Sequence, residues 1–328
     1  TFLNRLDKAS ALGRDNLMRK LAYETPDPAI VDSMKAVGTN LIPKLAWAKT
    51  KSEDGTSYSV LLKPQEMPDE ILARVREAFE GMAAAPVVPA PAYVESDLLT
   101  IYPIADAHVG MMAWGKETGE DYDTNLAADR IKEWVGRCVA SSPASDTAVI
   151  LDVGDLTHAD DNTAQTPASK HPLDVDTRHY RTLEVVIAAL SQAIETALGK
   201  HKLVHVRILP GNHNRTSFMA VMFALAERYR NEPRVSVHKN PSEFFVMEWG
   251  RVMLCAHHGD KSKADRLVHF MADEFAEIWG RTRHRFLWTG HLHHHKSQDI
   301  GGVQWEQLRA LTARDAYAAS HAYTARAH

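Results

Sequence analysis

The sequence predicts an α/β protein, and three observations carry that prediction. From Leu98 onward, short apolar runs alternate with amphipathic stretches of helical length, the pattern of βα units around a parallel sheet. The 328 residues are enough for one large domain and one small one. The 45% apolar and 24% charged residues are those of an ordinary globular chain.

The elements follow in order. Residues 1–64 read as a small module. "LNRLDKASALGRDNLMRKLAYE" has apolar positions at helical spacing around Gly13, and Pro28 to Val37 reads as a further helix ending at Gly38. "LAWAKT" and "YSVLLKP" flank Asp54-Gly55, a hairpin signal. Helices followed by a hairpin resemble a winged helix-turn-helix. Up to Pro64, however, 10 Lys and Arg against 7 Asp and Glu leave a surplus of only 3, a weak footprint for DNA. Residues 65–97 read as a helix from Asp69 to about Met82 and an Ala/Pro-biased linker.

Residues 98–311 form the predicted catalytic domain, and 312–328 a C-terminal tail. "LLTIYPIADAHVG" is a buried strand, Asp123 to Ser141 a helix, "TAVILDVGD" a strand and Asp176 to Leu198 a long helix capped by Asp176. "KLVHVRILPGNHN" is a third strand and Thr216 to Tyr229 a helix. Beyond it, four runs at short spacing, "RVSVHKN", "EFFVMEWGRVMLCAHHG", "HRFLWTGH" and "GGVQWEQL", read as more antiparallel, with one helix over Ala264–Trp279.

Composition excludes several classes. A net charge of −4 sets up no field that would attract nucleic acid or anionic lipid generally. Cys138 and Cys255 are the only cysteines, too few for a disulfide framework, which fits a reducing compartment. No apolar run approaches the roughly 18 residues of a membrane span. The expectation is a soluble, cytoplasmic protein without a membrane partner; its oligomeric state is not encoded legibly.

The unusual feature is 18 histidines, concentrated in the second half, with four of them in the five positions 291–295. Five strand-like runs end in metal-binding chemistry: Asp106-Ala107-His108, Gly154-Asp155-Leu156-Thr157-His158, Gly211-Asn212-His213-Asn214, His257-His258-Gly259 and Gly290-His291-Leu292-His293. In open α/β sheets, ligands bind beyond the carboxyl ends of the strands, so these five ends can converge on one crevice. Imidazoles mixed with carboxylates suit Mn, Fe, Zn or Ni better than Ca or Mg.

Asp-x-His, Gly-Asp-x-x-His, Gly-Asn-His, His-Gly and Gly-His-x-His, in that order, resemble the calcineurin-like metallophosphoesterase superfamily of bacterial or phage type. The resemblance covers roughly Leu98 to Leu311. It implies an α/β/β/α sandwich with two divalent transition-metal ions at one edge, Mn first among the candidates. Asp106, His108 and His293 would hold the first ion; Asn212, His258 and His291 the second; Asp155 would bridge them. His213 would be the non-ligand catalytic histidine facing the leaving group. The sequence departs from the family at Asn214, where an acid normally orients that histidine. In the pair His257-His258, the histidine directly before glycine fits the pattern, which puts His257 on the opposite face of its strand.

His158, Asn214, His257, His295 and Arg178 remain candidates for supporting or substrate-facing roles. The acidic "HADD" of His158–Asp161 reads as a solvated loop rather than a third metal site. The implied chemistry is hydrolysis of a phosphate ester by metal-activated water, since no serine, cysteine or glycine-rich phosphate-loop motif is present. A phosphodiesterase or nuclease acting on nucleotides, DNA or RNA is the leading reading. The alternative is a phosphomonoesterase, including a Ser/Thr protein phosphatase, although "GDLTHAD" and "PGNHN" lack that branch's arginines. A non-enzymatic binding module with a decayed site is disfavoured by the complete ligand set.

Overall fold

The computed structural model describes residues 85–322, together with the backbone of 46–51 and 57–62. The chain divides into two units, Thr1–Leu72 and Ala73–His328. In the first, β1 (Ala46–Lys51) and β2 (Ser57–Leu62) pair antiparallel with Lys51 opposite Ser57, the hairpin expected around Asp54-Gly55. The helices expected within 1–64 and from Asp69 to Met82 lie outside the described residues, as does the end of the C-terminal tail.

In the second unit, β3 (Glu95–Ile104), β4 (Ser145–Asp152), β5 (Leu203–Ile208) and β6 (Val235–Val237) form a wholly parallel sheet in that order. The connections carry α1 (Gly115–Thr118), α2 (Thr124–Ser141), α3 (His179–Leu198) and α4 (Ser217–Arg228). A second, five-stranded sheet contains β7 (Phe245–Trp249), β8 (Val252–Ala256), β9 (His284–Thr289), β10 (Lys296–Ile300) and β11 (Val303–Gln307), in the order β10-β11-β9-β8-β7. Between β8 and β9 run α5 (Ala264–Glu274) and α6 (Ala276–Arg281), and α7 (Ala316–Ser320) closes the described chain.

Strand periodicity builds the layers. Along β4, Ala148 and Ile150 face α2, α3 and α4, meeting Ile131, Leu190 and Val221. The alternate residues Val149 and Leu151 face the other sheet, meeting Leu254 and Ala256 of β8. On the far side of β8, Met253 and Cys255 meet Leu267 and Met271 of α5. The result is the α/β/β/α sandwich, helices outside and two sheets face to face. Ile150 and Leu190 are each 1% exposed; burying a side chain of that size stabilises by ~1.5–3 kcal/mol.

Several elements differ from the sequence reading. The second sheet is mixed: β7/β8 and β10/β11 are antiparallel, but β8/β9 and β9/β11 are parallel. Parallel pairing of β8 with β9 follows from the helical crossover between them. That crossover is two helices rather than one, broken at Phe275, whose ring packs into the core beneath. β10 was missed because "KSQDI" has no apolar alternation; it is an exposed edge strand held by backbone pairing, and Gly301-Gly302, both at positive φ, form its hairpin turn. The long helix starts at His179, not Asp176. The Asp176 carboxylate instead accepts from the backbone N–H and hydroxyl of Thr124, reinforcing Asp123 at the start of α2.

Both flanking segments are docked where they are described. Arg234 donates to the Val88 carbonyl, and Ala85 donates to that of Arg228, so this part of the Ala/Pro stretch lies against the catalytic unit. Downstream, the Leu311 and Thr312 amides donate to the carbonyls of Ala105 and Asp106. Among the described residues, no helix is long and apolar enough to cross a membrane.

Candidate metal centre

β3, β4, β5, β8 and β9 all deliver their carboxyl-end loops to one place. Asp106 and His108 follow β3, Asp155 and His158 follow β4, Asn212, His213 and Asn214 follow β5, His258 follows β8, and His291 and His293 follow β9. The backbone there is unusual. Asp106, His108, Asp155, His291 and His293 all have positive φ, between 43° and 73°. Left-handed backbone at non-glycine residues stores of order 1–3 kcal/mol each and persists where the surroundings impose it. Its concentration on these five residues points to geometry selected for a ligand rather than for chain economy.

Glycine makes the close approach possible. A Cβ on Gly154 would stand 2.5 Å from Nδ1 of His258, and one on Gly290 would stand 2.6 Å from a carboxylate oxygen of Asp106. Neither distance is compatible with a side chain, so Gly154 and Gly290 are space that the cluster occupies.

The ligand atoms fall into overlapping sets. In one, Nε2 of His108 lies 3.2 Å from Nε2 of His293, which lies 3.5 Å from Oδ1 of Asp106. In the other, Nε2 of His258 lies 3.0 Å from Oδ2 of Asp155 and 3.1 Å from Oδ1 of Asn212. The His291 ring is 5.2 Å from that of His258. Asp155 stands between the sets, its Oδ2 also 4.0 Å from Nε2 of His108. Asp106 ties them together, its carboxylate accepting the His291 amide at 3.0 Å. Asp106–His108–His293 and Asp155–His258–His291 each bring their donor atoms within 4.8 Å of one another. This set of imidazole nitrogens and carboxylate oxygens fits divalent transition ions.

The surroundings orient these rings. Nδ1 of His258 is 3.0 Å from the Val153 carbonyl; donating there leaves Nε2 as the lone-pair nitrogen aimed at the cluster. Nδ1 of His213 donates to the His158 carbonyl at 2.7 Å, and the His213 amide donates to Oδ1 of Asp155 at 2.8 Å. His158 itself is buried, its Nδ1 3.1 Å from Nδ1 of His108, and together with His108 and His213 it forms a third triplet of that kind.

Electrostatics follow from burial and pairing. Burial drives His108 and His158 well below the usual imidazole range, with His213 adding to the effect. At His258 burial acts downward too, but Asp155 overrides it and pushes the imidazole up to about 10. Burial raises the Asp155 carboxyl, yet His258, His213 and His108 outweigh it and hold it well below the carboxylate range. His291 is lowered by burial and by His258; His293 is raised because Asp106 outweighs its burial. Without a cation, His258 with Asp155 and His293 with Asp106 favour imidazolium–carboxylate pairing while His108 and His291 favour the neutral ring, and cations binding there would displace protons from the pairs.

The other candidates separate clearly. His257 points away from the cluster: its ring packs on Phe244 at 4.6 Å, and its Nε2 is 3.9 Å from Glu243. His295 is exposed and bonds Glu306 at 3.1 Å. Arg178 sits at the start of α3 and lines a cavity of about 460 Å³ beside Gly110 and Ala159. Asn214 is fully buried; its Oδ1 accepts from the Gly211 and Asp155 amides, at 2.6 and 3.3 Å, and its Nδ2 has no partner.

One residue has a role that the sequence reading missed. Asp160, in the acidic loop read as solvated, accepts from the Thr216 and Ser217 amides and so caps α4, which begins just after the Asn212–Asn214 loop. Its signal was present, an acid close behind the Gly-Asp-x-x-His stretch, but capping across loops leaves no fixed spacing. Asp152, at the end of β4, is buried, its carboxyl raised well above the usual range by burial.

No protein-family model and no curated protein matches the chain. Solved structures do. Phosphopantetheinyl hydrolase from Mycobacterium tuberculosis is 13% identical over 66% of this chain and 91% of its own, at a TM-score of 0.29. A predicted phosphoesterase from Streptococcus pneumoniae is 13% identical over 65% and 72%, at 0.27. Vps29 from Entamoeba histolytica, solved with Zn²⁺, is 14% identical over 65% and 74%, at 0.27. At such values these neighbours identify no substrate for this chain. By its own layers and its own five loops, the unit resembles the calcineurin-like metallophosphoesterases.

Proposed function

We propose that this protein is a two-metal phosphoesterase acting on phosphodiesters, those of nucleotides or of DNA or RNA. The observation that carries the reading is the position of Asp155 between two ligand sets, each assembled from more than one strand end. Asp106, His108 and His293 would hold one divalent ion, and Asn212, His258 and His291 the other, with Asp155 shared. Mn is the first candidate, then Fe, Zn or Ni. Two such ions would supply a water-derived nucleophile at neutral pH and neutralise the phosphoryl oxygens.

The chain's own residues supply the rest. Asp155 holds the loop of His213 by accepting its amide. The His158 carbonyl fixes the His213 ring through Nδ1, so Nε2 is the nitrogen free to act, and in the doubly protonated ring it would give its proton to the leaving oxygen. Support for a diester comes from two cavities lined by different loops among those that carry the cluster. One borders Gly110 and Ala159, the other Gly259 and Gly290. A diester has an organic group on each side of its phosphorus, whereas a monoester has one.

The test is a Mn²⁺-supplemented comparison of a chromogenic diester, its monoester counterpart, and single- and double-stranded DNA. The reading requires diester or DNA cleavage to exceed monoester cleavage. Brisk monoester hydrolysis with neither of the others would replace it with a phosphomonoesterase.

A further inference from the structure

Between the His258 loop and the His291–His293 loop lies a cavity of about 370 Å³, a volume within the range of small-molecule sites. Gly290, which lines it, also packs against the cluster, since a Cβ there would stand 2.6 Å from a carboxylate oxygen of Asp106, so cavity and cluster share a wall at Gly290. Three lysines line its rim, Lys261, Lys263 and Lys296, with the carboxylates Asp260 and Asp265. Two of these charges are already matched. Lys261 pairs with Glu243, and Asp260 pairs with Arg215. Lys263 and Lys296 enter no ion pair among the described residues, and only the exposed Asp265 opposes them in the lining. Lys296 lies 5.0 Å over the Trp305 ring, which holds its ammonium at the cavity wall.

From this arrangement we infer that Lys263 and Lys296 form a subsite for a second phosphate of the substrate. The substrate class is then a diester that carries a further phosphate next to the scissile one, as an oligonucleotide or a terminally phosphorylated dinucleotide does. This rests on the diester reading above. A lysine ammonium is a point charge with three rotatable donors and needs no bidentate geometry, so two of them on a rim can follow a phosphate on a flexible linkage. The matched pairs Lys261–Glu243 and Arg215–Asp260 fix the loop between β8 and α5 and leave the two unmatched lysines to act on the ligand.

The test uses the full-length protein loaded with Mn²⁺ and calorimetric titration. The ligand is a dinucleotide whose internal linkage is a neutral, uncleavable methylphosphonate, with a phosphate at its 5′ end, at its 3′ end, or at neither. The phosphate at one end is expected to tighten binding by about tenfold or more, the scale of a charged hydrogen bond. K263Q/K296Q should abolish that gain and leave the unphosphorylated form within about twofold of the parent, while K263R/K296R should restore it. Equal affinity for the three forms, no measurable binding of any, or a gain that survives in K263Q/K296Q would overturn the inference. Because the ligand is not cleaved, the result is independent of turnover. Hydrolysis of an ordinary unphosphorylated dinucleotide, followed in parallel, reports on the diester reading alone.

Discussion

Nδ1 of His213 donates to the backbone carbonyl of His158 at 2.7 Å, so a main-chain oxygen does the orienting that an acid does in the resembled family. A carbonyl fixes the tautomer as a carboxylate would but adds no formal charge to the imidazole. His213→Ala should keep both metals and lower kcat by about 10²–10⁴, the usual worth of a positioned proton donor. Metal content by mass spectrometry alongside kcat is the check, and loss of metal in this variant would reassign His213 as a ligand.

Asp155 touches both ligand sets, through His258 at 3.0 Å and toward His108 at 4.0 Å. Asp155→Asn should therefore reduce occupancy at both positions rather than one. Metal analysis after reloading with Mn²⁺ should give close to two ions per chain for the parent and fewer than one for the variant. A variant that retains a full single ion would show that the sites are independent.

Asn214 holds the Gly211 and Asp155 amides from below while wholly buried. Asn214→Ala leaves those donors unsatisfied, at a cost of about 1–3 kcal/mol, and should weaken metal binding because Asp155 loses its support. Asn214→Asp keeps an acceptor in place and should retain more of both properties. Denaturant unfolding and metal titration of the two variants would rank them; equal loss would mean that the buried Nδ2 matters as much as Oδ1.

Asp160 caps α4 from a neighbouring loop. Asp160→Ala should destabilise the protein by about 0.5–2 kcal/mol, the range for a lost helix cap, with metal stoichiometry unchanged. A shift in thermal midpoint with unaltered Mn²⁺ content is the expected pair of results.

The unit Thr1–Leu72 gives a handle on substrate length. If it presents a polymer to the site, removing residues 1–64 should slow cleavage of DNA or RNA far more than that of a small chromogenic diester, since remote contacts act only on substrates long enough to reach them. With a charge surplus of only 3 over those residues, salt dependence should be modest. Equal loss on both substrates would indicate a structural role instead.

What was legible in the sequence was whatever a repeating pattern writes locally. β4 alternates between two cores, and each motif sits where an apolar run stops, so the strands and their loops could be placed one by one. Hidden were features set by partners far along the chain. Asp176 cannot announce that it serves Thr124, nor Asp160 that it caps α4. β10 has no apolar face to show, and parallel pairing of β8 with β9 depends on where the intervening helices pack. His257 and His258 follow the end of β8 and turn to different partners, His257 to Phe244 and His258 to Asp155.

The loop of the first motif is closed by residues from the far end of the chain. Leu311 and Thr312 bond the carbonyls of Ala105 and Asp106, and His291 bonds the Asp106 carboxylate. During synthesis, Asp106 emerges from the ribosome some two hundred residues before the partners that hold it. Strands β3 to β5 can pair early, but the cluster cannot be completed until Thr312 has been made. A nascent or prematurely terminated chain therefore carries the side chains of the cluster without the geometry that groups them.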